Sequence, residues 1–183
     1  MKRNRKGDMT PLTLGVSRRQ SVVLLPLIWG LLRLFARRLT IDRSQMRGLK
    51  PPYIVLSMHH GFHDYYITPL AFFPHRASYV SDMEGFVSYG KRLYAAVGCI
   101  PTWRYTNDAR LVKAIRHVLT KNRDILVLYP EARHSSIGTN SILPPSIGKL
   151  LKLLRVPVVV QKLYGSGLAQ PAWDEHHVRR APL

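Results

Sequence analysis

Acid is scarce in this chain of 183 residues: ten Asp and Glu stand against 28 Lys and Arg, a formal net charge of +18. A surplus of that size demands an anionic partner, a lipid surface or a nucleic acid, because both gather Lys and Arg through phosphate. Cysteine is scarcer still. Cys99 stands alone, so no intrachain disulfide can form and a reducing compartment is allowed. No internal repeat or low-complexity tract is present. Nor does any apolar run reach the roughly 20 residues that a bilayer crossing needs; the stretch from Val22 to Ala36 has fifteen and contains Arg33. The length excludes two ordinary domains and favours one with a single sizeable core. A hydrophobic fraction of 46% excludes disorder for most of it.

The charge is concentrated at the start. Residues 1–50 hold twelve Lys and Arg against Asp8 and Asp42, more than half of the excess. The apolar run VVLLPLIWGLLRLFA sits inside this basic arm, flanked by Arg18, Arg19, Arg37 and Arg38. Pro26 and Gly30 weaken a straight helix, and the basic flanks suit a segment pressed into a headgroup layer with cations facing lipid phosphate. An interfacial or re-entrant helix is therefore expected, with a buried core helix as the other reading. A secretory signal is disfavoured by the long gap after Lys6 and by Ala36-Arg37-Arg38 where a small-residue cleavage site would stand. The expected organisation is a flexible basic tail over 1–19, a membrane-associating helical segment over 20–50, and a folded domain over 51–183. An anionic membrane surface is the expected partner; nucleic acid is not, since the apolar run gains nothing beside a solvated duplex.

From residue 53 onward, short β-rich apolar runs alternate with helical patterns. Tyr53–Met58, Asp124–Tyr129 and Val156–Val160 read as buried strands of a mainly parallel sheet. Between the first two, Leu111, Ile115, Val118 and Leu119 recur at i, i+4, i+7 and i+8, one face of an amphipathic helix capped by Thr106 or Asn107. Strand, helix, strand at this spacing predicts a βαβ unit, hence a single α/β domain with a mainly parallel central sheet flanked by helices. Sites in such sheets gather at the carboxyl ends of strands. Two chemically loaded stretches fall there: His59-His-Gly-Phe-His-Asp64 after the first strand, and Tyr129-Pro-Glu131 after the second.

His59 and Asp64 are spaced so that a turn into a helix can fold the carboxylate back onto the imidazole. Such a pair is a general base: the carboxylate holds one ring nitrogen protonated and leaves the other to take a proton from an attacking hydroxyl. The spacing alone is weak, since shuffling eight His and seven Asp places about 0.3 such pairs by chance. Its place after a strand gives it weight. A metal site built from His59, His60, His63 and Asp64 competes with it, although the spacing fits no common zinc pattern, and a histidine-rich structural loop is the bland alternative.

Four ordered blocks resemble the glycerolipid acyltransferases typified by 1-acylglycerol-3-phosphate acyltransferase. His59-x4-Asp64 is similar to that family's His-x4-Asp block. Gly98-Cys-Ile-Pro-Thr-Trp-Arg104 resembles its second block, Tyr129-Pro-Glu-Ala-Arg-His-Ser135 its third, which usually reads Phe-Pro-Glu-Gly-Thr-Arg-Ser, and Val156-Pro-Val158 its fourth. The resemblance covers roughly residues 20–165. It implies His59 as general base, Asp64 as its orienting partner, and Arg104 and Glu131 as substrate-binding residues; Arg133, in the third block, is a further substrate-binding candidate. It implies direct attack of a lysophospholipid or glycerol phosphate hydroxyl on acyl-CoA or acyl carrier protein, with no acyl-enzyme, no bound cofactor and no metal. Cys99 then need not react and reads as packing. The expected location is the cytoplasmic face of a membrane.

Two departures stand out. Ala132, Arg133 and His134 replace the usual glycine, threonine and arginine, so the guanidinium has moved by one residue, which re-aims a planar phosphate-binding fork or marks a different acceptor. The family also commonly continues past its fourth block, so a clipped or C-terminally incomplete domain is expected. Two other functions remain: a non-catalytic basic protein that binds anionic lipid or nucleic acid, and a metal-dependent hydrolase on the histidine cluster.

Overall fold

The structure, a computed structural model, describes residues 40–61, 64–82, 97–102, 109–132, 135 and 142–166, together with Val23, Pro26, Leu27 and Gly30. The expected tail over 1–19 and most of the apolar run lie outside the described residues. The four described positions of that run are all exposed. Among the described residues, no helix is long and apolar enough to cross a membrane.

Five strands form one sheet: β1 (Ile54–Ser57), β2 (Ala77–Asp82), β3 (Cys99–Thr102), β4 (Ile125–Leu128) and β5 (Val158–Gln161). Their order is β3-β2-β4-β1-β5 and every pairing is parallel. The helices are α1 (Asp64–Phe72), α2 (Ala109–His117), which runs on into a wider π turn over Val118–Asn122, and α3 (Pro145–Leu154). A mainly parallel α/β sheet flanked by helices is the expected class, and it is the one found.

Burial on both faces follows from alternation along the strands. Tyr53 and Val55 share one face with Ala77, Tyr79, Cys99, Ile125 and Val127, and α1 covers it through Ala71 and Phe72. Ile54 shares the other with Ile100, Leu126 and Leu128, where Ala114, Ile115, Val118 and Leu119 of α2 and its π turn pack, with Leu150, Leu151 and Leu154 of α3 beside them. The helical face expected from Leu111, Ile115, Val118 and Leu119 is the one turned to the sheet. At roughly 1.5–3 kcal/mol for each large apolar side chain fully buried, these two layers are the main source of cohesion.

Several expectations change. The first two sequence-legible strands are not one βαβ unit apart, because α1, β2, β3 and α2 intervene between β1 and β4. β2 carries Ser78, Ser81 and Asp82, and β3 carries Pro101, so neither reads as an apolar run. Pro101 is tolerated because β3 is an edge strand. The Val156–Val160 run reads as a buried strand, but β5 lies at the opposite edge with Val158 41% and Val160 68% exposed. Residues 40–50, within the expected helical segment, hold only a 3-10 turn, Ser44–Met46, and lay Met46 and Leu49 against the core. Arg43 closes the C-terminus of α1, donating to the carbonyls of Phe73 (3.0 Å) and Leu70 (3.1 Å).

Candidate active site

β1 ends at Ser57 and α1 begins at Asp64, so the turn between them lies at the carboxyl end of the sheet. Asp64 occupies the first position of its helix, where the N-terminal end of the macrodipole favours a carboxylate. It is fully buried. Its Oδ2 accepts from the His60 N–H (2.6 Å) and the Gly61 N–H (3.0 Å), and lies 3.0 Å from His59 Nδ1. A buried carboxylate is tolerable only when hydrogen-bonded or paired, and this one both closes its own turn and meets the imidazole. Because Oδ2 of an ionised Asp can only accept, the proton in the His59 contact belongs on Nδ1, which leaves the lone pair of the neutral ring on Nε2.

The register of the sheet supplies the next contacts. β1 lies between β4 and β5, with Leu56 opposite both Leu128 and Val160. The chain leaving β4 therefore arrives beside His59. The Tyr129 ring stacks on the imidazole with centroids 4.1 Å apart and planes 24° from parallel, and the Ser135 N–H donates to the His59 carbonyl at 2.7 Å. The chain leaving β5 arrives on the other side, where Ser166 Oγ is 2.8 Å from His60 Nδ1. Two consecutive histidines are thus held by two different strand exits.

Of the residues singled out from the sequence, His59 and Asp64 are brought into contact. Glu131 lies half-buried in the turn after β4, where the Ala132 N–H donates to the Tyr129 carbonyl (3.1 Å) and Ala132 takes φ +53°. That left-handed position coincides with the glycine of the resembled third block. Arg104 and Arg133 lie outside the described residues, as does His63. His60, counted as a metal ligand in the hydrolase alternative, turns its Nδ1 to Ser166 instead. Among the described residues no three His, Cys, Asp or Glu side chains converge in a metal-holding group. Cys99 is buried in the core beside Tyr79, and burial pushes its thiol up from the ordinary range, the behaviour of a packing residue.

Sequence reasoning missed Tyr129 as the ring partner, Ser135 and Ser166. The signal for Tyr129 was its position directly after a strand. Ser166 carried no local signal, since it reaches the site only because β5 pairs with β1.

A cavity of about 540 Å³ lies between residues 40–46, α1 and the exit of β5. Ile41, Met46, Ile67, Ala71, Leu163 and Tyr164 give it a largely apolar lining, with Asp42, Arg43, Lys162 and Ser166 among the polar residues that share it. That volume is within the range of small-molecule sites.

Fold and site together define a parallel α/β domain bearing a His–Asp pair at the carboxyl end of its sheet. The crystal structure of the 1-acyl-sn-glycerophosphate (LPA) acyltransferase PlsC from Thermotoga maritima is similar to it. The TM-score is 0.61 at 16% identity, over 81% of this chain and 61% of that one. At that identity the likeness is one of fold, and this chain spans less than two thirds of the other's length. No protein-family model and no curated protein matches the sequence.

Proposed function

We propose that this chain is an O-acyltransferase which moves a fatty acyl group from acyl-CoA or acyl carrier protein to a hydroxyl of a lysophospholipid or glycerol phosphate. The observation that carries the proposal is the His59–Asp64 contact of 3.0 Å in the turn after β1, with the imidazole face stacked on Tyr129. In the reaction, Nε2 of His59 takes the proton of the acceptor hydroxyl as its oxygen attacks the thioester carbonyl carbon. Asp64 stabilises the imidazolium that forms. Collapse of the tetrahedral intermediate breaks the C–S bond, and the imidazolium returns the proton to the leaving sulfur. A base so positioned contributes roughly 100-fold to 10,000-fold in rate.

The cavity along α1 supports this reading, since its apolar residues can hold an acyl chain and its α1 lining begins at Ile67, about one turn along the helix from Asp64. Arg104 is the proposed phosphate contact, by resemblance; Glu131 and Arg133, the latter one residue from the place of the family's arginine, are proposed with it as substrate-binding residues. The basic arm and its apolar run bring the domain to an anionic membrane at its cytoplasmic face.

The test is thiol release and product mass from purified protein supplied with long-chain acyl-CoA and a panel of lysophospholipid and glycerol phosphate acceptors. His59→Ala and Asp64→Asn should each lower turnover by at least about 100-fold, while vesicle binding persists. Turnover that survives His59→Ala would sink the general base.

A further inference from the structure

His60 serves two partners. Its main-chain N–H makes the 2.6 Å bond to the Asp64 carboxylate, and its ring makes the 2.8 Å bond to Ser166, 106 positions along the chain. His60 and Ser166 are 5% and 2% exposed, so their bond lies where little water can replace it and where its loss leaves a polar group stranded. The other ring nitrogen of His60 is buried with no hydrogen-bond partner among the described residues, so Ser166 alone anchors that ring there. Ser166 also lines the largely apolar cavity, together with Leu163 and Tyr164 on the same stretch; α1 supplies another part of the wall, through Ile67 and Ala71. Both parts of the wall therefore lead to one carboxylate. α1 starts at Asp64, and the β5 exit reaches it through Ser166 and His60.

Resting on the acyl-transfer reading above, we propose that His60 and Ser166 are positioning residues that couple filling of this cavity to alignment of the His59–Asp64 base. An acyl chain packed against the two parts of the wall fixes their separation. The Ser166–His60 bond carries that constraint to the turn whose N–H groups hold Asp64. Contacts made far from the reacting carbon then improve orientation at it, so longer donors raise kcat as well as lowering KM. Without the bond the cavity still binds the chain, but the binding no longer orients the base.

The experiment measures kcat and KM for acyl-CoA donors of increasing chain length in the unaltered protein, Ser166→Ala and His60→Asn, with thermal melts to confirm folding. In the unaltered protein kcat should climb about tenfold along the series. Ser166→Ala should flatten that climb, losing about tenfold in kcat with the longest donors and much less with the shortest, while KM still falls with length. His60→Asn, whose amide can meet Ser166 in place of Nδ1, should keep most of the climb. A second readout is the His59 ring resonance: a long-chain acyl-CoA thioether analogue should shift it in the unaltered protein and not in Ser166→Ala. An active protein whose kcat ignores chain length overturns the coupling and leaves acyl transfer standing, as does a Ser166→Ala variant with the unaltered slope. A protein that releases no thiol from any donor overturns both.

Discussion

One oxygen of Asp64 meets three nitrogens, and that sets what each substitution at the pair should do. Asparagine keeps an acceptor for the His60 and Gly61 amides but cannot support an imidazolium, so Asp64→Asn should fold and fail in catalysis. Ala132 offers a separate test at this scale. Its φ of +53° costs an L-residue with a Cβ roughly 1–2 kcal/mol and costs glycine little. Ala132→Gly should therefore raise stability by about 1 kcal/mol despite the added freedom of the unfolded chain, seen as a higher midpoint in urea; a lower midpoint would show that the turn carries no strain. The His59–Asp64 pair was legible because its two members are near in sequence and the physics of a base names their types. Tyr129, Ser135 and Ser166 were not, since their roles come from strand neighbours rather than from sequence neighbours.

α1 is an element that its own sequence supports poorly. Pro69 lies inside it, removing one N–H from the ladder, and its C-terminal carbonyls depend on Arg43 from outside the helix. Arg43→Ala should destabilise the protein by about 1 kcal/mol, measurable by chemical denaturation. The same variant should loosen the wall of the cavity, because Arg43 and Ile67 both line it. A variant as stable as the parent would mean the two bonds add nothing net. The elements that the sequence revealed, β1, β4, β5 and α2, are those built on continuous or periodic apolar residues, although β5 keeps its apolar run at an exposed edge. β2 escaped notice because parallel strands covered on both faces can bury small polar residues such as Ser78 and Ser81, and β3 because a proline edge strand carries the signals of a turn.

For the molecule as a whole, the net charge of +18 predicts that binding to anionic vesicles falls steeply as salt rises from about 0.05 to 0.5 M, the range over which screening shortens below 10 Å. Sedimentation of the protein with vesicles checks this, and salt-independent binding would argue against an electrostatic arm. Alkaline stability tests the core. Burial pushes the Tyr53 hydroxyl up to about 12, with the nearby Arg43 opposing in part, and it raises Cys99 as well. Each group is neutral in the fold at a pH where the unfolded chain has already ionised. The stability each contributes is thus complete below its unfolded value, about 10 for Tyr53, and is lost as pH climbs through the folded one. The thermal midpoint should fall between about pH 10 and 12, and Tyr53→Phe should lessen the fall.

The strand order has a consequence for the newborn chain. β1, which carries the His–Asp turn, emerges early, yet both strands that flank it are β4 and β5, beginning at residues 125 and 158. Until those residues have left the ribosome, β1 has no sheet partner and His59 has no Tyr129 to lean on. The sheet therefore cannot close around the His–Asp turn until its last strand has been made, and the pair takes up its final surroundings only at the end of synthesis of the domain.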